Sequence, residues 1–199
     1  MTLTPTTPPA IEPVTLDEAK AQLRVTYTGE DVLIAALITA ARQRIEAALG
    51  LALIATTFRE THDVWPLEIT TAVPATDPLS ALFAGPLKLR RGPLIGVSAI
   101  AVADGSGAFQ TLDPASYAAE PGSRPARIIP CDVAWPAPGV AAGGVRIDYD
   151  AGYGAAEADV PAPLRQAILQ LVADGFEHRS DAPLSLVEPW LSPFRRVRL

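Results

Sequence analysis

The run from Val145 to Arg179, VRIDYDAGYGAAEADVPAPLRQAILQLVADGFEHR, constrains the fold more than any other stretch, because it joins a strand, a glycine turn and a proline-started helix in one fixed order. Val145, Ile147 and Tyr149 alternate with Arg146, Asp148 and Asp150, the period of a half-buried strand. Gly152 and Gly154 break that period and predict a structural turn. Pro161 and Pro163 suit the first turn of a helix, where a missing N–H costs nothing. Leu164, Ala167, Ile168, Leu171 and Val172 then fall on one helical stripe. The spacing predicts a helix over 161–179, handed directly from the strand.

A second helical region opens the chain. Thr15 followed by Glu18 is a capping box, and Leu16, Ala19 and Leu23 mark the inward face of a helix over 15–25. From Glu30 the pattern Leu33, Leu37, Ala41, Ile45 and Leu49, with Ile34, Ile38 and Ala48 beside it, predicts a helix over 30–49 that Gly50 ends. Arg42, Gln43 and Glu46 take its polar side. The alanines at 35, 36, 40, 41, 47 and 48 let another backbone approach closely, either within the chain or from a neighbouring subunit. Residues 1–13 hold four prolines and four threonines with little to bury, and read as an extended arm that orders on a neighbour.

The middle, 52–150, is predicted to be β-rich, with strands over 55–64, 87–91, 96–104, 126–129 and 144–150. Asp104-Gly105-Ser106-Gly107 between VSAIAVA and FQTL is a hairpin signal, since its glycines supply positive φ. Residues 70–86 are too long and too apolar for a plain turn and read as a projecting loop or a short helix over Leu79 to Phe83. Beyond Arg179, prolines 183, 189 and 193 prevent a long helix, leaving a tail over 181–199. That tail carries Leu184, Leu186, Val187, Trp190, Leu191 and Phe194, followed by Arg195, Arg196 and Arg198. The arginines suit either DNA phosphates or an acidic protein partner. The preceding aromatics favour a protein, because interface anchors are typically aromatic and Arg.

Together with PVTLDEAKAQLRV at residues 13–25, the strand–turn–helix run resembles the head-tail connector, or adaptor, proteins of tailed bacteriophages and of prophage-derived gene transfer agents. The likeness rests on Pro13 to Val25, Glu30 to Leu49, Ile147, Tyr149, Ala151 to Gly154 and Pro161 to Leu171. It implies a small helical bundle, made of the N-terminal helix pair and the C-terminal helix, with the β-rich region 52–150 inserted and extended arms at both ends. One connector domain over 14–180 follows, flanked by the arm and a portal-docking tail. The resemblance further implies a dodecameric ring beneath the portal protein that continues the DNA ejection channel and offers its lower face to a stopper or other neck protein. Such a protein is made in the bacterial cytoplasm and ends in the virion or phage-like particle. Leu184, Leu186, Val187, Trp190, Leu191, Phe194, Arg195, Arg196 and Arg198 are the expected portal anchors. Two other readings stand beside it: a neck stopper or tail-terminator protein, against which the N-terminal helix pair counts, and a nucleic-acid-binding module using the Arg-rich C-terminus.

Bulk properties narrow the functions. Lys+Arg 16 against Asp+Glu 22 gives a formal charge of -6, which argues against a general phosphate-binding surface and suits a conduit along which double-stranded DNA slides without sequence-specific binding. The single cysteine, Cys131, excludes an internal disulfide and reads as a small buried or half-buried filler. No segment approaches the roughly 20 apolar residues of a membrane span, and the N-terminus lacks the pattern of a signal peptide. His62 and His178 have no companions at metal-ligand spacing, and His178 is expected to pair with Glu177 or Asp181. Asp148 and Asp150 share a strand face without a third acidic ligand, Gly152-x-Gly154 lacks the rest of a phosphate loop, and Ser98 lacks the second glycine of a nucleophile elbow. Arg124 and Arg127 read as strand-edge charges. No catalytic residue, cofactor or metal is expected, and the chain reads as an assembly part rather than an enzyme.

Overall fold

Handing a strand to a helix at Gly152 also marks a structural boundary. The protein, seen in a computed structural model, is described over residues 1–65, 85–131, 135–179 and 183–195. Four helices and two antiparallel sheets among these residues make it an α+β protein. The chain divides into two compact units, one of Met1–Pro8 and Thr56–Ala151, the other of Pro9–Ala55 and Gly152–Leu199. The division follows from burial: strand faces and helix stripes each enclose an apolar core of their own.

The helical unit contains α1 (Leu16–Leu23), α2 (Asp31–Leu49), α3 (Ala162–His178) and α4 (Glu188–Leu191). Thr15 caps α1 as expected: its Oγ1 accepts the Glu18 N–H at 3.1 Å, and the Glu18 carboxylate accepts the Thr15 N–H at 2.9 Å. Arg24 then turns left-handed at φ 56 and ends the helix just short of Val25. Gly50, at φ 65, ends α2. The core joins Ala19 of α1 with Ile34, Ile38, Ala41, Ile45 and Leu49 of α2 and Leu164, Ala167, Ile168, Leu171 and Val172 of α3.

The α3 stripe is the expected one, whereas the α2 stripe is rotated. Leu33 and Ala48 face solvent and Leu37 is half-buried, because residues repeating every four drift by about 40° per step around a 3.6-residue helix. The correct stripe mixes steps of three and four. Arg42, assigned to the polar side, is buried. Its Nε donates to Glu12 at 2.7 Å and its NH1 to Glu46 at 2.8 Å, while the other Glu46 oxygen accepts the Leu53 N–H at 2.8 Å. A buried guanidinium is tolerated only when paired in this way.

The β-rich unit holds a five-stranded antiparallel sheet in the order β1-β2-β8-β4-β5 and a three-stranded sheet in the order β3-β7-β6. The strands are β1 (Thr2–Thr7), β2 (Thr56–His62), β3 (Leu87–Lys88), β4 (Leu94–Ala103), β5 (Phe109–Thr111), β6 (Tyr117–Glu120), β7 (Arg127–Pro130) and β8 (Val145–Ala151). β2 and β8 pair in unbroken register from Thr56 opposite Ala151 to His62 opposite Val145, and both alternate buried and half-exposed residues. Val145, Ile147 and Tyr149 point inward, as their period predicted. The β4–β5 hairpin forms at Asp104, whose Oδ1 accepts the N–H groups of Ser106 at 2.8 Å and Ala108 at 3.1 Å.

Residues 1–13, expected as an arm ordered by a neighbour, contribute β1, which pairs within the chain along the edge of the larger sheet. Pro5 fits there because an edge strand leaves one side of its ladder unpaired. Of its six residues only Leu3 is as much as half-buried, so β1 is held by backbone bonds and by the Thr4 and Thr6 hydroxyls rather than by packing. Each such bond contributes about 0.5–1.5 kcal/mol, against about 1–2 kcal/mol per residue of backbone ordering. β1 is therefore close to energetic balance. Most of the expected 70–86 insertion, including Leu79 to Phe83, lies outside the described residues.

Candidate docking surfaces

The tail begins as a continuation of the helical core. Leu184–Val187 forms a 3-10 turn, α4 follows, and Ser192–Phe194 forms a second 3-10 turn, the prolines restricting each piece to about one turn. Val187 and Leu191 are 0% exposed, and Leu184, Trp190 and Phe194 are partly buried against the same core as α2 and α3. Leu186 is exposed. Arg195 is exposed and pairs with Glu188, NH2 to Oε2 at 2.5 Å, which closes the tail on itself. Arg196 and Arg198 lie outside the described residues.

The expected portal anchors thus fall into three groups: Val187 and Leu191, engaged in the chain's own core; Leu184, Trp190 and Phe194, half-buried; and Leu186 with Arg195, outward. The pattern L-x-x-V-x-x-x-L at 184–191 is helical in period, the signal that this segment packs on its own unit.

A second surface lies on α2. Val32, Leu33, Ala35, Ala36, Ala40, Ala47 and Ala48 are exposed, with Gln43 and the half-exposed Thr39 and Arg44 among them, and only Ala41 of the alanine series is buried. The alanines are therefore mostly unused within the helical unit, where packing inside the chain was one of their two expected roles. Tyr27, just before α2, is also exposed.

The turn that joins strand to helix depends on its glycines. Gly152 sits at φ 148, and a Cβ there would stand 2.6 Å from the Ala55 nitrogen. A side chain at Gly154 would collide with the Asp159 carboxylate. The backbone closes with Ala55 N–H donating to the Gly154 carbonyl at 2.8 Å and Tyr153 N–H to the Leu53 carbonyl at 3.2 Å.

The polar residues weighed as chemistry are engaged in structure. Arg59 holds Asp148 through two bonds, of 2.7 and 2.8 Å, and Asp150 accepts the Thr57 hydroxyl at 2.6 Å. Ser98 lies on an exposed strand position and donates weakly to Asp150 at 3.4 Å. Arg127 pairs with Glu120 at 2.5 Å across β7 and β6. His178 pairs with Asp174 at 3.2 Å instead of Glu177, because residues four apart adjoin on a helix and successive ones do not, while Asp181 lies outside the described residues. Cys131 is exposed, against the expectation of a buried or half-buried filler, since it follows the last residue of β7.

Sequence reasoning missed one polar cluster. Glu60 is fully buried, accepts the Arg90 N–H and the Tyr149 hydroxyl at 3.2 Å each, and stands 3.0 Å from His62 Nε2. Burial and the neighbouring Glu60 raise the Tyr149 pKa well above the usual phenol range. The cluster ties β2 and β8 to the segment after β3. Its signal was the inward parity of Glu60 and His62 with Phe58, which the polar string TTFRETH concealed. Among the described residues no group of His, Cys, Asp and Glu has the geometry to hold a metal ion.

Comparison with known proteins agrees with the resemblance read from the motifs. The family model of phage gp6-like head-tail connector proteins matches residues 13–76, less than half of the chain. No curated protein matches. A chain in the virion of a native gene transfer agent particle is 24% identical with a TM-score of 0.80, and the match covers 100% of this chain and 97% of that one. With the same identity and coverage, a chain from the neck of an empty gene transfer agent particle, computed with C6 symmetry, has a TM-score of 0.82. A third, from the neck of the native particle computed with C12 symmetry, has 0.78. At this identity the structural likeness establishes a shared fold along the whole length.

Proposed function

We propose that this chain is a structural head-tail connector, without catalytic activity, that forms a ring in the neck of a tailed phage or phage-like particle. One observation carries this reading: the fold of the entire chain coincides with that of neck chains, while residues 13–76 independently match a connector family. The C12 symmetry of one matched neck supports a ring of about twelve copies here, built from head-to-tail contacts that close. The alanine-rich outer face of α2 suits the contact between neighbouring copies, since its alanines permit close helix approach.

In this reading the ring sits beneath the portal protein, continues the DNA channel and presents its other face to a stopper or further neck protein. The tail remains the proposed portal contact, through Leu186, Trp190, Phe194 and Arg195, with Arg196 and Arg198 beyond. A single tail offers few free groups, so attachment depends on many tails acting together around the axis.

Particles made without this protein test the proposal. DNA-filled heads that fail to acquire tails, and regain them when the protein is supplied, are the expected result. Tailed, DNA-retaining particles in its absence would overturn it. Electron microscopy of the purified chain with and without portal protein should show rings of about twelve copies in the mixture.

A further inference from the structure

We infer that β1 is an exchangeable strand, which a second copy of this chain can supply to β2 in place of the chain's own. Three observations carry this. First, β1 is paired without being packed: Thr2, Thr4, Pro5, Thr6 and Thr7 are exposed, and Leu3 is half-buried. Second, its attachments are made to groups that any copy of β1 meets identically. They are the ladder from Thr2 opposite Thr61 to Thr7 opposite Thr57, the Thr4 hydroxyl on the Arg59 carbonyl at 3.4 Å, and the Thr6 hydroxyl on the Thr57 carbonyl at 3.2 Å.

Third, β1 reaches its sheet through a short proline-containing connection. The chain leaves the β-rich unit at Pro8 and joins the helical unit at Pro9, and residues 9–55 separate β1 from its partner strand in sequence. The helical unit grips the chain again at Glu12, bound to Arg42 at 2.7 Å and Thr39 at 2.9 Å, and at Val14, which is fully buried. Between these grips lies Pro8-Pro9-Ala10-Ile11, whose prolines favour extended backbone and resist folding back on themselves.

Exchange loses no bond, because every donor and acceptor in the ladder is matched again by the incoming strand. Release alone does lose them, and it leaves β2 with an open edge, the surface most prone to pair with a strand from outside. A second copy of β1 is the occupant that restores both the register and its irregularity between Pro5 and Thr7. In a ring, each copy passes its strand to the next. That ring form rests on the proposed function, whereas the exchange itself is a property of the isolated chain.

Thiol cross-linking of full-length protein tests the exchange without particles. In a Cys131→Ser background, chains carrying Thr2→Cys are mixed with chains carrying Thr61→Cys and treated with a short thiol cross-linker. Linked pairs should accumulate, faster as protein concentration rises and several-fold beyond a mixture of Thr2→Cys with Ser98→Cys. Repeating with Thr4→Cys and Arg59→Cys should give the same result. A chain bearing both Thr2→Cys and Thr61→Cys should also link within itself. Mixed chains that link no better than the off-register pair overturn the exchange, and a doubly substituted chain that fails to link removes the strand pairing on which it depends. Neither result touches the role in particles, which the complementation of heads reads separately.

Discussion

Tyr149 donates its hydroxyl hydrogen to the Glu60 carboxyl at 3.2 Å, with both side chains fully buried in the β-rich unit. A carboxyl so placed depends on every donor around it, since a buried polar group left without partners costs far more than the net worth of one hydrogen bond. Tyr149→Phe should therefore destabilise the protein by about 1–3 kcal/mol, beyond what the small loss of volume accounts for. Urea midpoints of the variant against the parent measure it, and an unchanged midpoint would mean that Glu60 finds another donor.

Glu18 has its pKa lowered, first by the Thr15 N–H and further by Arg165, with partial burial opposing both. A folded pKa below the ordinary 4.5 means that the carboxylate stabilises the folded state above that pH, and that this contribution fades as pH falls through the lowered value. The side chain is 40% exposed, so solvent screens the ion pair and the effect is modest. Stability should decline from pH 5 to pH 3, about two units spanning the unfolded carboxylate range. Glu18→Gln should shallow that decline, and a parallel curve for the variant would contradict the assignment.

Removing the other half of the capping box has a separate signature. Thr15→Ala leaves the Glu18 N–H without its acceptor and should cost about 0.5–2 kcal/mol. Thr15→Ser, which keeps the oxygen, should restore most of that in thermal or urea unfolding.

Gly152 cannot carry a side chain without moving Ala55. Gly152→Ala should cost at least about 1–3 kcal/mol from backbone strain, with steric overlap adding to it. A variant as stable as the parent would show that the strand-to-helix turn is not held as described.

Leu191 and Arg195 separate the core packing of the tail from its proposed docking. Leu191→Ala should lower stability by about 2–5 kcal/mol, because the residue is enclosed in the helical core. Arg195→Glu, which loses only an exposed ion pair with Glu188, should change stability by no more than about 1 kcal/mol and yet reduce the joining of heads. Truncation at Pro183 removes Leu191 along with the proposed docking groups and so cannot distinguish the two, which point variants read independently.

Much of this was written in local patterns. The capping box at Thr15, the left-handed Gly50, the α3 stripe, the β8 alternation and the Asp104 hairpin each depend on residues a few positions apart, whose backbone preferences and periodicity act before any tertiary contact forms. Leu184 to Phe194 carried the apolar composition of an anchor, but whether such residues face a partner or their own core depends on which surface is nearest after folding. Arg42 shows the same limit from the polar side: its burial follows from Glu12, thirty positions away in the chain.

The sequence by itself determined the three long helices, strands β2, β3, β4, β7 and β8, the turns at Gly50 and Asp104, and the motif by which the chain resembles connector proteins. Tertiary structure alone decided that β1 closes the edge of a sheet, that Glu60 and His62 lie inside it, and that Val187 and Leu191 complete the helical core. Local signals are set by backbone torsions and side-chain period. Pairing and burial are set by contacts across long stretches of chain, and a polar string such as TLTPTT or TTFRETH carries no mark of the partner that will satisfy it.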